Sequence, residues 1–258
     1  HSGITAVACP DSLASIGHYA FNKCPDLNNA PLPGSILSIG NYAFNGCDGL
    51  SSLALGENLT TLGSYAFSGC TRLANVHIPG TVSTVGSGAF YGCTGLEEAI
   101  IADGVATIGS YAFYGCTGLS AVRIPASVTS IQERAFDGCS SLPAISVSDE
   151  NAAYSSLDGV LFSRPPQTLI QYPGGRSGAY TMPSGVVSIA NFAFNGHAAL
   201  TALDLPDSLS SIGNYAFNGC SALTALRLPD QLAALGSYAF SACSGLTELT
   251  IPGQVVSI

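Results

Sequence analysis

Nine cysteines and four histidines are the residues of this 258-residue chain whose types point to metal, disulfide or nucleophilic chemistry. Cys24, Cys47, Cys70, Cys93, Cys116, Cys139, Cys220 and Cys243 recur singly, each three residues after a phenylalanine, and no C-x-x-C pair occurs. A zinc site needs ligands that converge on one point, whereas a regular recurrence lays them out in a line. Buried free thiols acting as small apolar groups are the expected state. Disulfides between successive copies are compatible with the separation but demand a geometry that stacked, parallel side chains rarely offer. The thiols therefore leave the redox compartment open. Among the histidines, His1 is terminal and His197 takes a cysteine's place without visible compensation, while His77 stands between Val76 and Ile78 on the outward position of a strand. No G-x-S-x-G elbow occurs, Glu97 and Glu98 point to opposite faces of a strand, and Gly174-Gly175 lacks the lysine of a phosphate loop. The chain reads as a non-enzyme with no cofactor and no metal.

The elements that would have to position any site are repeats. Phe21, Phe44, Phe67, Phe90, Phe113 and Phe136 are 23 residues apart, as are Phe194, Phe217 and Phe240, and each follows an alanine. Six residues after each Phe stands a leucine, from Leu27 to Leu246. Beyond it come alternating apolar positions such as Leu203 and Leu205, or Val76 and Ile78, with the period of a half-buried strand. A proline often follows, as at Pro79, Pro125, Pro206, Pro229 and Pro252, and ends the strand. A second apolar pair, such as Leu209 and Ile212, then precedes a glycine and the Tyr-Ala-Phe turn. So short a unit cannot bury its own apolar face, and stacking the copies about 4.8 Å apart gives one continuous core.

The segment LTALDLPDSLSSIGNYAFNGCSAL, residues 200–223, resembles the leucine-rich repeats of BspA-type bacterial surface proteins, with their L-x-x-I-x-I-P-x-x-V-x-x-I-G-x-x-A-F-x-x-C pattern. The resemblance runs through nearly the whole chain. It implies an α/β repeat solenoid, mostly β. In that fold a right-handed superhelix carries a parallel sheet on one face and short strands with single helical turns on the other. Residues 1–258 are expected to form one such solenoid, with incomplete repeats at both ends, where Ile4, Val7, Cys9 and Pro10 fit strand positions and Val255 and Ile258 stop before a turn. The chain is read as a processed or trimmed piece. It contains no signal peptide and no apolar run long enough to span a membrane.

The register breaks once, between Leu142 and Ser177, where 35 residues replace the usual 23. Residues 160–162 and 168–172 flank Arg164-Pro165-Pro166-Gln167, which predicts a β-hairpin insertion within about 148–176. Two readings of it stand: an insertion that redirects the stack, and a projecting element that serves a partner's site.

A net charge of -9 and a single lysine, Lys23, make nucleic acid a poor partner. What remains is a surface. On the outward strand positions His77 aligns with Ile100, Arg123, Ser146, Asp204 and Arg227, and the row two residues earlier holds Glu98 and Glu248. His77, Glu98, Arg123, Asp204, Arg227 and Glu248 are the candidate partner-binding residues, since solenoids use the sheet face for extended contacts. A second stripe, Tyr19, Tyr42, Tyr65, Tyr111, Tyr215 and Tyr238, stands two residues before each Phe and is either a sugar platform or packing along the stack. Resemblance to the family implies a cell-surface or secreted, extracellular protein that adheres to host or matrix proteins. A glycan-binding surface protein and a structural spacer are the alternatives.

Overall fold

The computed structural model describes residues 3–164 and 167–257. The expectations placed on His1, Pro165, Pro166 and Ile258 lie outside the described residues. Two compact units, His1–Ala153 and Tyr154–Ile258, divide the chain.

The first unit holds β1 (Ser15–Ile16), β2 (Ser38–Ile39), β3 (Thr61–Leu62), β4 (Asn75–Ile78), β5 (Thr84–Val85), β6 (Glu98–Ile101), β7 (Thr107–Ile108), β8 (Ala121–Ile124), β9 (Ser130–Ile131) and β10 (Ser146–Val147). The two-residue strands β1, β2, β3, β5, β7 and β9 pair in parallel into one sheet, and β4, β6, β8 and β10 into another. Burial alternates along β4, β6 and β8, with Val76, Ile78, Ile101, Val122 and Ile124 inward. The phenylalanines form the spine of the core: Phe44, Phe67, Phe90 and Phe113 are fully buried, with successive ring centroids 5.1–5.7 Å apart. Asn151, itself buried, closes the last coil by donating to the carbonyls of Pro125 (2.7 Å) and Val128 (2.9 Å).

The second unit holds β11 (Tyr154–Leu157), β12 (Val160–Ser163), β13 (Thr168–Gln171), β14 (Gly178–Thr181), β15 (Ser188–Ile189), β16 (Leu200–Asp204), β17 (Ser211–Ile212) and β18 (Ala234–Leu235). β11, β12 and β13 form an antiparallel meander, with an irregularity between Leu161 and Phe162, and β13 continues in parallel into β15, β17 and β18. The inserted segment thus has three strands where the sequence pointed to two. Asp158 (φ 49°) and Gly159 (φ 75°) make the left-handed turn between β11 and β12. Arg176 holds that turn, with Nη2 2.9 Å from Asp158 Oδ2 and its guanidinium over the rings of Tyr172 and Tyr180.

No helix occurs among the described residues, so the single helical turns expected opposite the sheet are replaced by non-helical turns. The reason lies in the backbone of the Tyr-Ala-Phe segment. Tyr19, Tyr42, Tyr65, Tyr111, Tyr215 and Tyr238 have φ of 54–59°, which no right-handed helical turn allows. Their N–H groups reach the next coil instead: Tyr42 donates to Ser64 O at 2.9 Å, Phe44 to Ala66 O at 2.7 Å and Gly46 to Ser68 O at 2.7 Å. The second unit repeats the arrangement, as with Tyr215 to Ser237 O (3.0 Å) and Phe217 to Ala239 O (2.8 Å). These bonds between coils over-determine the otherwise unfavourable tyrosine conformation.

Candidate binding surface

The thiols line the core as a column with its own hydrogen bonds. Each S–H from Cys47 on donates to the carbonyl of a phenylalanine one coil back, at 3.1 Å from Cys93 to Phe67 O and 3.0 Å from Cys243 to Phe217 O. No disulfide forms among the described residues. Burial pushes the Cys139 and Cys220 thiols up to about 12 from an ordinary 9.0. They are therefore poor nucleophiles. The folded state holds these protons more tightly than the unfolded chain, so their contribution to stability is complete below pH 9 and is lost as the pH rises towards 12. At pH 8 the buried thiols are expected to resist Ellman's reagent in the native protein and to react fully in urea. The urea midpoint should fall steadily above pH 9; a flat midpoint would show that the thiols do not contribute.

His197, in a cysteine's place, meets aromatic rings in place of a hydrogen-bond partner. Tyr172 enters the phenylalanine row, 4.9 Å from Phe194, and meets the imidazole edge-on at 5.2 Å. Among the described residues neither imidazole nitrogen of the buried His197 has a hydrogen-bond partner, nor does the Tyr180 hydroxyl.

The tyrosine stripe stacks on itself. Tyr19, Tyr42 and Tyr65 lie 5.0 Å apart with planes within 5° of parallel, and Phe192, Tyr215 and Tyr238 form a similar run. At Gly88 the tyrosine position carries no side chain, and the Tyr65 ring lies over it, where a Cβ would be only 2.3 Å away. Tyr91 and Tyr114, one residue after their phenylalanines, take over the stack at 4.9 Å. Arg134 covers Tyr111 and Tyr114 with its guanidinium, which pairs at 2.8 Å with the buried Asp137.

The exposed faces of the strands carry the predicted binding residues. In the first unit, strand register sets His77 beside Ile100, Ile100 beside Arg123 and Arg123 beside Ser146, with Glu98 in the neighbouring row between Asn75 and Ala121. All of these point outward. Glu98, Ile100, Arg123 and Ser146 line a groove of about 460 Å³ with Pro143 and Ala144. His77 stands apart from it, 3.8 Å from Glu57. In the second unit, Asp204, Arg227 and Glu248 line a larger groove of about 880 Å³. The Thr181 hydroxyl donates to Asp204 at 3.1 Å, whereas Arg227 meets Asp230 only at 3.9 Å with both side chains largely in water. That exposed pair has little energetic weight. Asp230, Thr224 and Thr247, which also line this groove, were not singled out by sequence, although Asp230 lies only three residues beyond Arg227.

A family model for the BspA type leucine rich repeat region matches residues 1–119, 84–163 and 178–258 in six copies. The chain belongs to the BspA type leucine-rich repeat family. Among solved structures, this BspA-type chain is similar to a leucine rich cell surface protein from Faecalibacterium prausnitzii A2-165. The two are 29% identical with a TM-score of 0.82, over 98% of this chain and 74% of that one. The fold is shared with the pneumococcal vaccine antigen PcpA (24% identity, TM-score 0.74, 94% of this chain and 68% of that one). It is shared also with a leucine-rich repeat protein of Eubacterium ventriosum ATCC 27560 (24% identity, TM-score 0.67, 96% of this chain and 60% of that one). No match was found among curated proteins. No helix among the described residues is long and apolar enough to cross a membrane.

Proposed function

We propose that this chain is a non-catalytic binding module of an extracellular or cell-surface protein, and that it adheres to host or matrix proteins through the outward face of its strands. The observation that carries this reading is the pair of open grooves, each lined by outward side chains of successive coils: Glu98 and Arg123 in one, Asp204, Arg227 and Glu248 in the other. The description of the Faecalibacterium relative as a cell surface protein supports the location. The tyrosine stripe favours protein over glycan as the partner. Sugars stack on open ring faces, and here those faces are stacked on one another.

Binding of the purified chain, at physiological salt, to an array of extracellular-matrix proteins and glycans tests the proposal. The Arg123→Ala/Arg227→Ala double variant should lose at least about tenfold in affinity for protein hits, since both guanidiniums are exposed and able to take up a partner's carboxylates. Glycan hits that survive the double substitution would move the site off the sheet face. A chain that binds nothing on the array would make the spacer the better account.

A further inference from the structure

We infer that the groove on the outward face of β6, β8 and the coil of β10 takes an aromatic side chain with a neighbouring carboxylate from a partner protein, an inference that deepens the protein-binding reading above and rests on it. The groove has an apolar floor in the middle of a polar face. Ile100 is 47% exposed, at an outward position whose neighbours in register are His77 and Arg123. Ala121, set beside Glu98 in the adjoining row, and Pro143 and Ala144 in the following coil present only short carbon side chains to the same space. Small side chains between longer ones leave a recess, here of about 460 Å³. A single exposed apolar side chain is ordinary on a protein surface, but Ile100, Ala121, Pro143 and Ala144 line one recess with charge at its rim, which is the anatomy of an interface centre.

The charge on that rim is uncommitted. Among the described residues Arg123 makes no ion pair, hydrogen bond or ring contact, and neither does Glu98. Elsewhere in this chain a guanidinium finds both a ring and a carboxylate. Arg134 lies over Tyr111 and Tyr114, 5.3 and 5.0 Å from their centroids, and pairs with Asp137. Arg176 lies over Tyr172 and Tyr180 and pairs with Asp158. Arg123 has neither, and a partner can supply both. A ring seated over Ala121 and Ala144 would fill the recess against Ile100, and the Arg123 guanidinium would close over it. A carboxylate next to that ring then meets the guanidinium, while Glu98 on the opposite rim turns away a second one.

The chain has no tryptophan, so the indole of a peptide reports its own burial without background. The probe acetyl-Ser-Gly-Trp-Asp-Gly-Ser-amide, titrated with the full chain at physiological salt, should shift its emission to the blue, become shielded from acrylamide and saturate below about 1 mM. Lys in place of Asp should weaken binding at least about tenfold, and a peptide with Leu in place of Trp should displace the probe only at about tenfold or greater concentration. Ala121→Leu, which fills the recess from its floor, and Arg123→Ala should each weaken probe binding at least about tenfold without moving the urea midpoint, because both positions are exposed. Arg227→Ala should leave probe binding unchanged. No saturation up to about 1 mM, no response to Ala121→Leu, or an equal loss in Arg227→Ala overturns the assignment. So does a dimer of the free chain that Ala121→Leu dissociates, which would give the recess to a second copy. If the probe fails while array hits still depend on Arg123 and Arg227, the aromatic anchor alone is lost. If the probe binds and the array shows no protein hits, the anchor stands and the host-adhesion reading is lost.

Discussion

Phe113→Ala will destabilise the protein by about 3–5 kcal/mol, read from urea unfolding followed by circular dichroism. Phe113 has no exposed surface and stacks between Phe90 and Phe136, 5.5 Å from each ring with planes 9° and 2° from parallel. Truncation removes the transfer energy of the ring and leaves a cavity whose walls cannot collapse. The coils above and below are fixed by bonds between their own backbones, such as Phe90 N–H to Ala112 O and Phe113 N–H to Ala135 O, both 2.8 Å. Two neighbouring rings also lose a stacking face. Because each coil contacts mainly its neighbours, the loss is concentrated in one place and should lower the cooperativity of unfolding as well as the midpoint. A cost below about 1 kcal/mol would show that the phenylalanine row is not the core.

Gly86→Ala tests closeness of approach rather than burial. The backbone there is not left-handed, so alanine is conformationally acceptable, but its Cβ would stand 2.6 Å from the carbonyl carbon and oxygen of Gly63 and 2.7 Å from Leu62 O. Gly63 is placed in the same way over Gly40, and Gly109 over Val85. These contacts are backbone atoms of the preceding coil, which cannot rotate aside as a side chain would. The coils must part locally, at the expense of bonds such as Gly86's neighbours make with the coil before. We expect a loss at or above the upper end of about 1–3 kcal/mol in the same urea assay. Gly17→Ala is the control: a Cβ at Gly17 meets nothing within 4 Å, and its effect should stay within about 0.5 kcal/mol of zero. Equal effects at the two positions would sink the close-approach argument.

Much of the fold was legible because the repeat repeats its chemistry. The step of 23 residues put Phe, Leu and, except at His197, Cys towards the inside of the regular coils, and the alternation around His77, Ile100 and Arg123 placed them in the same outward row that the strand register shows. The Tyr-Ala-Phe segment was legible as a turn, but its conformation was not, because side-chain pattern does not report φ and the bonds to the next coil are seen only in the structure. The third strand of the insertion was missed because Tyr154–Leu157, with Ser155 and Ser156 at its centre, has no apolar alternation to announce it.

The backbone-to-backbone bonds that the tyrosine turn makes between coils run one way. In each unit the N–H group belongs to the earlier coil and the carbonyl to the later one, at Tyr42 to Ser64 as at Phe194 to Ala216. Peptide dipoles so aligned add, as they do along a helix, and give that face a direction: partial positive charge gathers at the amides that lead and partial negative charge at the carbonyls that trail. In a chain with seven lysine and arginine residues in 258, the sense of the stack on this face is therefore written in its backbone. The backbone part of that polarity does not depend on side chains and so survives surface substitution.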